Sequence, residues 1–416
     1  MSTTLTSPAE RERSRHASAE GEGAAAGTVL PPTTAAASPA VQTHRAPPRS
    51  AAEVVIAAGG TGGHFFPAEA LAAELIARGH HVALMTDSRS AGQRSTVFSG
   101  QPQFVIRGAG IAGRGAVRAT RAVFALASGT LQARGILTRI RASVVVGFGG
   151  YPSVAPVLAT RLMRRRPAVI LHEQNAVLGR ANRFLARNAG TLALSFAATE
   201  HVPAGVTTAV TGNPVRPAVA ALLHTAYLPP SDTVRLLVLG GSLGARIFSD
   251  VVPAALAALP EALRSRLSVV QQCRAEDLDR VRAAYAASGI AAELAAFFPD
   301  VASRLAAAHL VIARAGASTV AELAVAGRPA SLVPLPGAID NHQAANARAL
   351  EEARGAAVIA QPAFNADALC QRLTMLLQEP DMLAHAAHAA RRVAVADAAS
   401  RLADLVEASL RAGGQP

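Results

Sequence analysis

The chain has 416 residues, half of them hydrophobic, and a formal net charge of +12 from 40 basic and 28 acidic residues. This length exceeds what one hydrophobic core usually holds and predicts two α/β domains. Every basic residue is arginine, which excludes a P-loop lysine, a Schiff-base lysine and a lysine general base. Cys273 and Cys370 stand far apart, so the sequence indicates neither a disulfide framework nor a zinc site.

Residues 1–52 are rich in Ala, Ser, Thr, Pro, Glu and Arg and show no hydrophobic periodicity. Such a composition predicts a disordered N-terminal tail, which takes no part in the fold. The chain has no uninterrupted apolar stretch of about 18 residues, and its first residues lack a basic segment followed by an apolar run. We therefore expect neither export nor a membrane-spanning segment, and a reducing cytoplasm fits the isolated cysteines.

A strand, a glycine-rich turn and a helix follow one another twice along the chain. The apolar run at 54–58 stops at a glycine-rich turn and precedes an amphipathic helix over 68–78. The second copy has an apolar run at 236–239, a turn at 240–244 and a helix from about Ala245. Short apolar runs that alternate with helical patterns predict parallel sheets covered by helices on both faces.

The sequence therefore predicts an α/β protein with two Rossmann-like, doubly wound domains that face each other across a cleft. Polar and proline residues near 229–232 indicate the linker between them. The predicted segments are a disordered tail (1–52), an N-terminal acceptor and membrane-facing domain (53–222), a linker (223–233), a C-terminal nucleotide-sugar domain (234–405) and a second tail (406–416).

Both glycine-rich turns follow strands, where ligands bind in doubly wound sheets because the next helix presents free backbone N–H groups to anions. Neither turn matches GxGxxG, since Phe65 and Leu243 interrupt the pattern. A nicotinamide or flavin dinucleotide is thus disfavoured. Glycines that only permit a tight turn explain either copy alone, whereas two matched turns favour a binding role.

A segment of small residues and hydroxyls follows the apolar run at 310–312. Ser318 and Thr319 stand where a helix begins, so a diphosphate could approach backbone N–H groups there without a metal. Glu322 lies one turn further along, where a carboxylate could accept hydrogen bonds from both hydroxyls of a ribose. The alternative is an ordinary helix cap followed by an acid in the first turn.

Seven motifs occur in order along the chain: Gly59-Gly60-Thr61-Gly62-Gly63-His64, Gly149-Gly150-Tyr151, His172-Glu173-Gln174-Asn175, Gly212-Asn213-Pro214-Val215-Arg216, Gly240-Gly241-Ser242-Leu243-Gly244-Ala245-Arg246, Gly316-Ala317-Ser318-Thr319-Val320-Ala321-Glu322 and Asp340-Asn341-His342-Gln343. Over about residues 53–405 they resemble the bacterial undecaprenyldiphospho-muramoylpentapeptide β-N-acetylglucosaminyltransferases. The resemblance implies a GT-B glycosyltransferase that moves N-acetylglucosamine, with inversion and without a metal or other cofactor. It also implies UDP-N-acetylglucosamine as donor, the lipid-linked precursor lipid I as acceptor and lipid II as product.

Carried over by position, the resemblance places the donor among residues of the second half. These are Ser242, Phe298 through its backbone, Ala317, Ser318, Thr319, Val320, Ala321, Glu322 and Gln343. Ser242 and the helix start face the diphosphate, Glu322 the ribose and Gln343 the sugar hydroxyls.

The first half supplies further positions that match substrate-binding residues of the family, namely Thr61, Gly62, Gly63, Asn175 and Arg216. His64 is the favoured base for the acceptor hydroxyl, and Glu173 is its rival. A histidine that only orients the glycine-rich loop is the alternative for His64.

Two segments depart from the expected patterns. Residues 151–156 differ from relatives in which Ser-Gly-Pro follows the tyrosine, which bears on the acceptor loop and not on the class. The Asp277-Leu278-Asp279 string resembles a metal-binding DxD motif. It does not follow a strand, and we interpret it as part of a solvated helix face.

A membrane-docking surface is predicted after Arg114. Val117, Phe124 and Leu131 recur every seven residues, and Arg114, Arg118 and Arg121 flank them. Arg161 and Arg164 to Arg166 add positive charge near Leu162 and Met163. Such a surface suits the anionic headgroups of the inner membrane, where the resemblance implies peripheral binding at the cytoplasmic face. An amphipathic helix packed on its own sheet is the alternative.

Two other functions compete with this hypothesis. Another GT-B enzyme with a different lipid or small-molecule acceptor would share the fold. A nucleic-acid-binding protein would explain the arginine excess, but the chain has no Trp and only 3 Tyr for base stacking. We therefore expect no nucleic-acid partner; proteins of cell-wall synthesis are candidate partners that the sequence does not identify.

Overall fold

The computed structural model describes residues 53–60, 62–88, 95–107, 116–241 and 244–413. The predicted disordered tail over residues 1–52 lies outside these ranges, as do Thr61 and Ser242.

The first half of the described chain forms a seven-stranded parallel sheet. Its strands are β1 (Glu53–Ala57), β2 (His81–Thr86), β3 (Gln103–Val105), β4 (Ala142–Gly147), β5 (Ala168–Glu173), β6 (Thr191–Leu194) and β7 (Thr208–Val210). They lie in the order β3-β2-β1-β4-β5-β6-β7. In the central strand Val55 pairs with Ala83 of β2 and with Val145 of β4.

The second half repeats this plan in a six-stranded parallel sheet. Its strands are β8 (Val234–Leu239), β9 (Leu267–Gln272), β10 (Ala291–Ala295), β11 (Leu310–Ala313), β12 (Ala330–Leu332) and β13 (Ala356–Val358). They lie in the order β10-β9-β8-β11-β12-β13. The first strand of each half thus lies at the centre of its sheet, next to the fourth.

Helices connect the strands. They are α1 (Gly62–Ala77), α2 (Ala116–Arg139), α3 (Gly150–Arg161), α4 (Arg180–Leu185), α5 (Pro217–Ala220), α6 (Arg246–Ala257), α7 (Glu261–Arg264), α8 (Leu278–Ala287), α9 (Val301–Ala307), α10 (Ala317–Ala326), α11 (His342–Glu352), α12 (Ala366–Gln378), α13 (Pro380–Arg392) and α14 (Ala398–Gly413).

Each sheet is covered on both faces. Val54 and Ile56 of β1 pack in one hydrophobic cluster, and Val55 between them packs in another on the opposite face. In β8, Leu236 and Leu237 likewise belong to different clusters. Continuous apolar runs are what strands buried on both faces require, so the predicted doubly wound α/β architecture is confirmed.

The last helix corrects the predicted C-terminal tail. Residues 406–413 complete α14, and its Leu402, Ala403 and Val406 are fully buried in the core of the first sheet. The chain therefore returns from the second half to the first. Arg78, just after α1, holds α14 through a 2.6 Å contact with Asp404. The amphipathic pattern of α14 alone does not say which sheet it covers.

The segment before the predicted linker also packs across the halves. Val215 and Val219 lie in the core of the second sheet, although they precede residue 222. No helix within the described ranges is long and apolar enough to span a bilayer.

Candidate active site between the two sheets

A cleft of about 1430 Å³ separates the two sheets. It lies where β1, β4 and β5 of the first sheet and β8 and β11 of the second end at their carboxyl termini. Parallel strands of doubly wound sheets present ligand-binding turns at this end. The fold therefore places both glycine-rich turns at one site.

Most residues predicted from the sequence line this cleft. They are Gly62, Gly63, His64, Glu173, Asn175, Arg216, Phe298, Ala317, Ser318, Thr319, Glu322 and Gln343. Val320 and Ala321 instead pack in the hydrophobic core beneath α10, so their side chains do not line it. The predictions for Thr61 and Ser242 lie outside the described residues.

The start of α10 presents backbone donors to the cleft. Gly316 is the residue before the helix, with extended backbone angles, and it has no side chain that could occupy the first amides. Ser318 and Thr319 are half-buried beside it. The Ser318 hydroxyl lies 3.4 Å from the Gly63 carbonyl, so the two halves approach each other at this point.

Glu322 forms a bidentate ion pair with Arg216. Arg216 Nε donates to Oε1 at 2.8 Å and Nη2 donates to Oε2 at 2.9 Å. The Phe66 ring of α1 lies 4.9 Å from the guanidinium carbon. An ionised carboxylate has about four lone-pair sites. Each oxygen therefore retains capacity for one further hydroxyl after it has accepted from Arg216.

Two residues that the family resemblance assigns to the donor have contacts within the protein. Gln343 Oε1 accepts a 2.9 Å hydrogen bond from the Leu335 amide, which fixes the orientation of the carboxamide. Phe298 is buried and packs under the guanidinium of Arg304 at 4.0 Å, so its backbone is held at the cleft wall.

His64 begins a hydrogen-bonded chain that leads into the first sheet. Its Nδ1 lies 2.7 Å from Gln174 Oε1, and Gln174 Nε2 lies 3.0 Å from His172 Nδ1. His172 Nε2 in turn lies 3.0 Å from the Gly212 carbonyl. Complete burial lowers the pKa of His172 to about 4, so this imidazole is neutral at pH 7.

Glu173 is held by four donors and is almost fully buried. Its Oε1 accepts from the backbone and side-chain nitrogens of Asn175, each at 3.0 Å. Its Oε2 accepts from the Gly179 amide at 2.8 Å and from Asn182 at 2.9 Å. A carboxylate with this many donors organises the turn after β5.

Asn175 links that turn to the second half. Its side-chain oxygen accepts from Asn346 of α11 at 3.1 Å, and Asn346 also accepts from the Ala176 amide at 2.8 Å. Asn346 is fully buried.

Two glycines after β4 lie beside His64. Gly149 and Gly150 both have positive φ, 81° and 66°. A β-carbon at Gly150 would lie 3.8 Å from His64 Nε2, on the edge of the ring opposite Gln174. A side chain at Gly150 would be strained by the positive φ, and its β-carbon would lie in ordinary van der Waals contact with the His64 ring.

The Asp277-Leu278-Asp279 interpretation needs a correction. Asp279 is exposed as predicted, but Asp277 is buried at the start of α8. A 2.7 Å hydrogen bond from Arg280 lowers the pKa of Asp277. Within the described ranges no group of three or more His, Cys, Asp or Glu side chains could hold a metal ion.

Sequence reasoning gave no role to several residues of the site. Gln174 and His172 stood in a quoted motif, and their partners 110 and 40 positions away could not be seen in it. Arg314 lines the cleft, is buried, and donates to the Val333 carbonyl at 3.0 Å and to Gln361 at 2.7 Å. Its position just after β11 was the only sequence signal.

The predicted docking helix has an exposed apolar face. On α2, Val123, Phe124 and Leu131 are 66%, 74% and 61% exposed. Leu162, after the neighbouring α3, is 51% exposed, and Arg121 and Arg164 to Arg166 are exposed nearby in the chain. The predictions for Arg114 and for the side chains of Val117 and Arg118 lie outside the described residues.

Comparison with known proteins places the chain in one family. Residues 54–193 match the glycosyltransferase family 28 N-terminal domain, and residues 235–402 match the C-terminal domain of the same family. Two relatives carry the name UDP-N-acetylglucosamine–N-acetylmuramyl-(pentapeptide) pyrophosphoryl-undecaprenol N-acetylglucosamine transferase. The Granulibacter bethesdensis protein is 64% identical over 359 residues, which cover 86% of this chain and 94% of the relative. The Acidiphilium cryptum protein is 54% identical over 347 residues, with coverages of 83% and 94%.

A solved structure agrees with this assignment. The crystal structure of Acinetobacter baumannii MurG is 30% identical, covers 86% of this chain and 99% of its own, and superposes with a TM-score of 0.70. The matched domains span both sheets and both glycine-rich turns. The chain therefore belongs to glycosyltransferase family 28, with a GT-B fold, and within it to the N-acetylglucosaminyltransferases named above.

Proposed function

We propose that the chain transfers N-acetylglucosamine from UDP-N-acetylglucosamine to undecaprenyl-pyrophosphoryl-N-acetylmuramoyl-pentapeptide, lipid I, and so produces lipid II. The observation that carries the proposal is the cleft. Residues that the family resemblance assigns to donor and acceptor line it from both sheets. The 64% identical relative is named for this transfer.

The donor occupies the second half. The diphosphate binds at the start of α10, where backbone amides, Ser318 and Thr319 donate to anionic oxygens. The ribose hydroxyls donate to Glu322, which Arg216 holds in place. Gln343 has its oxygen engaged by Leu335, so its amide nitrogen meets the sugar hydroxyls.

His64 is the base and Glu173 is a structural carboxylate. The argument is one of hydrogen-bond capacity: Glu173 already accepts from four donors. A proton transferred to it would cost at least one of these charge-assisted bonds. The imidazole of His64 lines the cleft and is half-buried, and its Nδ1 is engaged by Gln174.

The reaction is a direct displacement. The acceptor hydroxyl oxygen forms a bond to the anomeric carbon as the bond from that carbon to the diphosphate oxygen breaks. The hydroxyl proton passes to His64, and UDP leaves with the bonding electron pair. Attack on the face opposite the departing diphosphate inverts the anomeric centre and gives a β-linkage. Backbone amides at the helix start stabilise the departing charge without a metal.

The acceptor lipid remains in the membrane while its sugar reaches the cleft. Val123, Phe124 and Leu131 are exposed on α2, and Arg121 of the same helix and Arg164 to Arg166 after α3 are exposed as well. Such a face suits an anionic inner-membrane surface at its cytoplasmic side. Peripheral binding through α2 would therefore bring the first half of the cleft to the lipid-linked acceptor.

The full chain is incubated with UDP-N-acetylglucosamine and a lipid I analogue with a short lipid chain. The expected product is the β-linked disaccharide, identified by mass and by its anomeric coupling. A parallel incubation with unrelated lipid and small-molecule acceptors tests the competing GT-B function. Transfer to one of those acceptors, and none to the lipid I analogue, would overturn the assignment.

A further inference from the structure

The side chains of His64, Gln174 and His172 form a directional hydrogen-bond chain that ends at the Gly212 carbonyl. A carbonyl oxygen only accepts, so His172 Nε2, at 3.0 Å from Gly212, carries the hydrogen. Because His172 is buried and neutral, its Nδ1 is unprotonated and accepts. The group 3.0 Å from that nitrogen must therefore be the amide nitrogen of Gln174.

This assignment fixes the other end of the chain. With its nitrogen facing His172, Gln174 turns its oxygen to His64, 2.7 Å from Nδ1. An amide oxygen only accepts, so His64 Nδ1 carries the hydrogen. In a neutral imidazole the second nitrogen then has a free lone pair. That nitrogen, Nε2, is on the ring edge next to Gly150, and His64 lines the cleft.

We propose that Gln174 and His172 are positioning residues that hold His64 in the tautomer with a hydrogen on Nδ1 and a lone pair on Nε2. The inference rests on the proposed role of His64 as base. During transfer the acceptor hydroxyl proton moves to Nε2. The resulting imidazolium continues to donate from Nδ1 to Gln174 Oε1. UDP carries away the electron pair of the broken bond.

The arrangement differs in kind from a base oriented by a carboxylate. Gln174 is neutral, so it selects the tautomer and orients the ring without adding negative charge. Rotation of the Gln174 amide by 180° would place nitrogen against His64 and oxygen against the bare His172 Nδ1. Both contacts would then be unfavourable unless His172 rearranged. The hydrogen bond from buried His172 to the Gly212 carbonyl thus determines, through Gln174, which nitrogen of His64 carries no hydrogen.

The test compares the parent protein with Gln174→Leu, which is similar in size and removes the side-chain hydrogen bonds to His64 and His172. Ser195→Ala is the matched control. It removes a 2.8 Å hydrogen bond to the Glu173 carbonyl at the end of β5, and it leaves the hydrogen bonds from His64 to Gly212 in place. We expect Gln174→Leu to lower kcat by about 10- to 100-fold, part of the contribution of a general base, with the donor KM within about twofold of the parent. Ser195→Ala should retain parent kcat.

Nitrogen-15 NMR of the histidine rings gives a readout independent of activity. The His64 signals are those that disappear in His64→Ala. In the parent they should show a protonated Nδ1 and a bare Nε2, and in Gln174→Leu a mixture of both tautomers. A parent His64 with its hydrogen on Nε2 overturns the proposal, even if Gln174→Leu does not fold.

The outcomes distinguish failure of the proposed function from failure of the positioning role. Absence of transfer by the parent refutes the proposed function, while the NMR result still decides the tautomer. A folded His64→Ala variant with parent kcat refutes the base assignment. If His64→Ala is inactive but Gln174→Leu retains parent kcat, the positioning role is refuted on its own.

Discussion

The two halves share a strand order but carry different chemistry at corresponding strand ends. After the fourth strand of the first half, Gly149 and Gly150 adopt positive φ and lie against the His64 ring. After the fourth strand of the second half, Gly316 has a φ of −64° and leads directly into the hydroxyl-rich start of α10. One backbone plan thus gives a glycine turn beside His64 on one side of the cleft and a hydroxyl-rich helix start on the other. The residues that follow each strand determine what each side of the cleft can bind, and the fold determines only where those residues lie.

The largest expected effect follows from removal of the proposed base, His64. We predict that His64→Ala lowers kcat by ~10²–10⁴, the usual contribution of general base catalysis, with a nearly unchanged donor KM. Steady-state kinetics with a water-soluble lipid I analogue measure it. His385→Ala, an exposed histidine on α13, is the control. A small loss of kcat in a folded His64 variant would contradict the division of roles between the halves.

The next effect concerns the donor side. Glu322→Ala should raise the KM for UDP-N-acetylglucosamine by about ten- to a hundredfold, because hydrogen bonds to a charged group are worth ~1.5–3 kcal/mol. The matched control is Glu200→Ala, which removes an exposed ion pair with Arg348. Unchanged donor kinetics in Glu322→Ala would leave the ribose assignment without support.

A smaller effect is expected on membrane binding, which we assign to the exposed face of α2 in the first half. Replacement of Arg121, Val123 and Phe124 by Ser should weaken binding to anionic vesicles, since each arginine near such a surface contributes about 1 kcal/mol. Turnover of the short-chain acceptor should persist. Leu228→Ser, at a 71% exposed residue between the halves, is the control. Added salt should reduce parent binding. Parent-like binding by the triple variant at low salt would place the docking face elsewhere.

Chelation should have the smallest effect. We predict parent activity in excess EDTA, because helix amides and hydroxyls neutralise the departing diphosphate. Activity is compared before and after chelation and again after Mg²⁺ or Mn²⁺ is restored. A loss that either cation reverses would show that an acidic site acts in the reaction.

The central strand of each sheet and the start of α10 could be predicted from local sequence. The continuous apolar runs of β1 and β8 and the glycines after them identify both central strands, because strands buried on two faces need such runs. The start of α10 could be predicted in the same way. Local patterns reveal periodicity and turns, and these features need no knowledge of distant partners.

Contacts between distant residues could not be predicted. Arg216 and Glu322 form an ion pair although they are 106 positions apart. The sequence shows each of them only as a separate substrate-binding candidate, because their pairing depends on the fold. Asp277 was interpreted as solvated because its helix is rich in charge, yet it is buried beside Arg280. Burial depends on which face meets a neighbour, and the sequence of one helix does not state that.

The return of α14 to the first sheet has a consequence for folding during synthesis. Residues 53–210 leave the ribosome long before Leu402 and Val406, which complete their core. Domains usually fold as units from the N-terminus as they emerge. Here part of one apolar face of the first sheet, beside α1, stays uncovered until the last residues are made. A stalled or C-terminally truncated chain would therefore expose that face to chaperones and proteases, even though its active-site residues are all present.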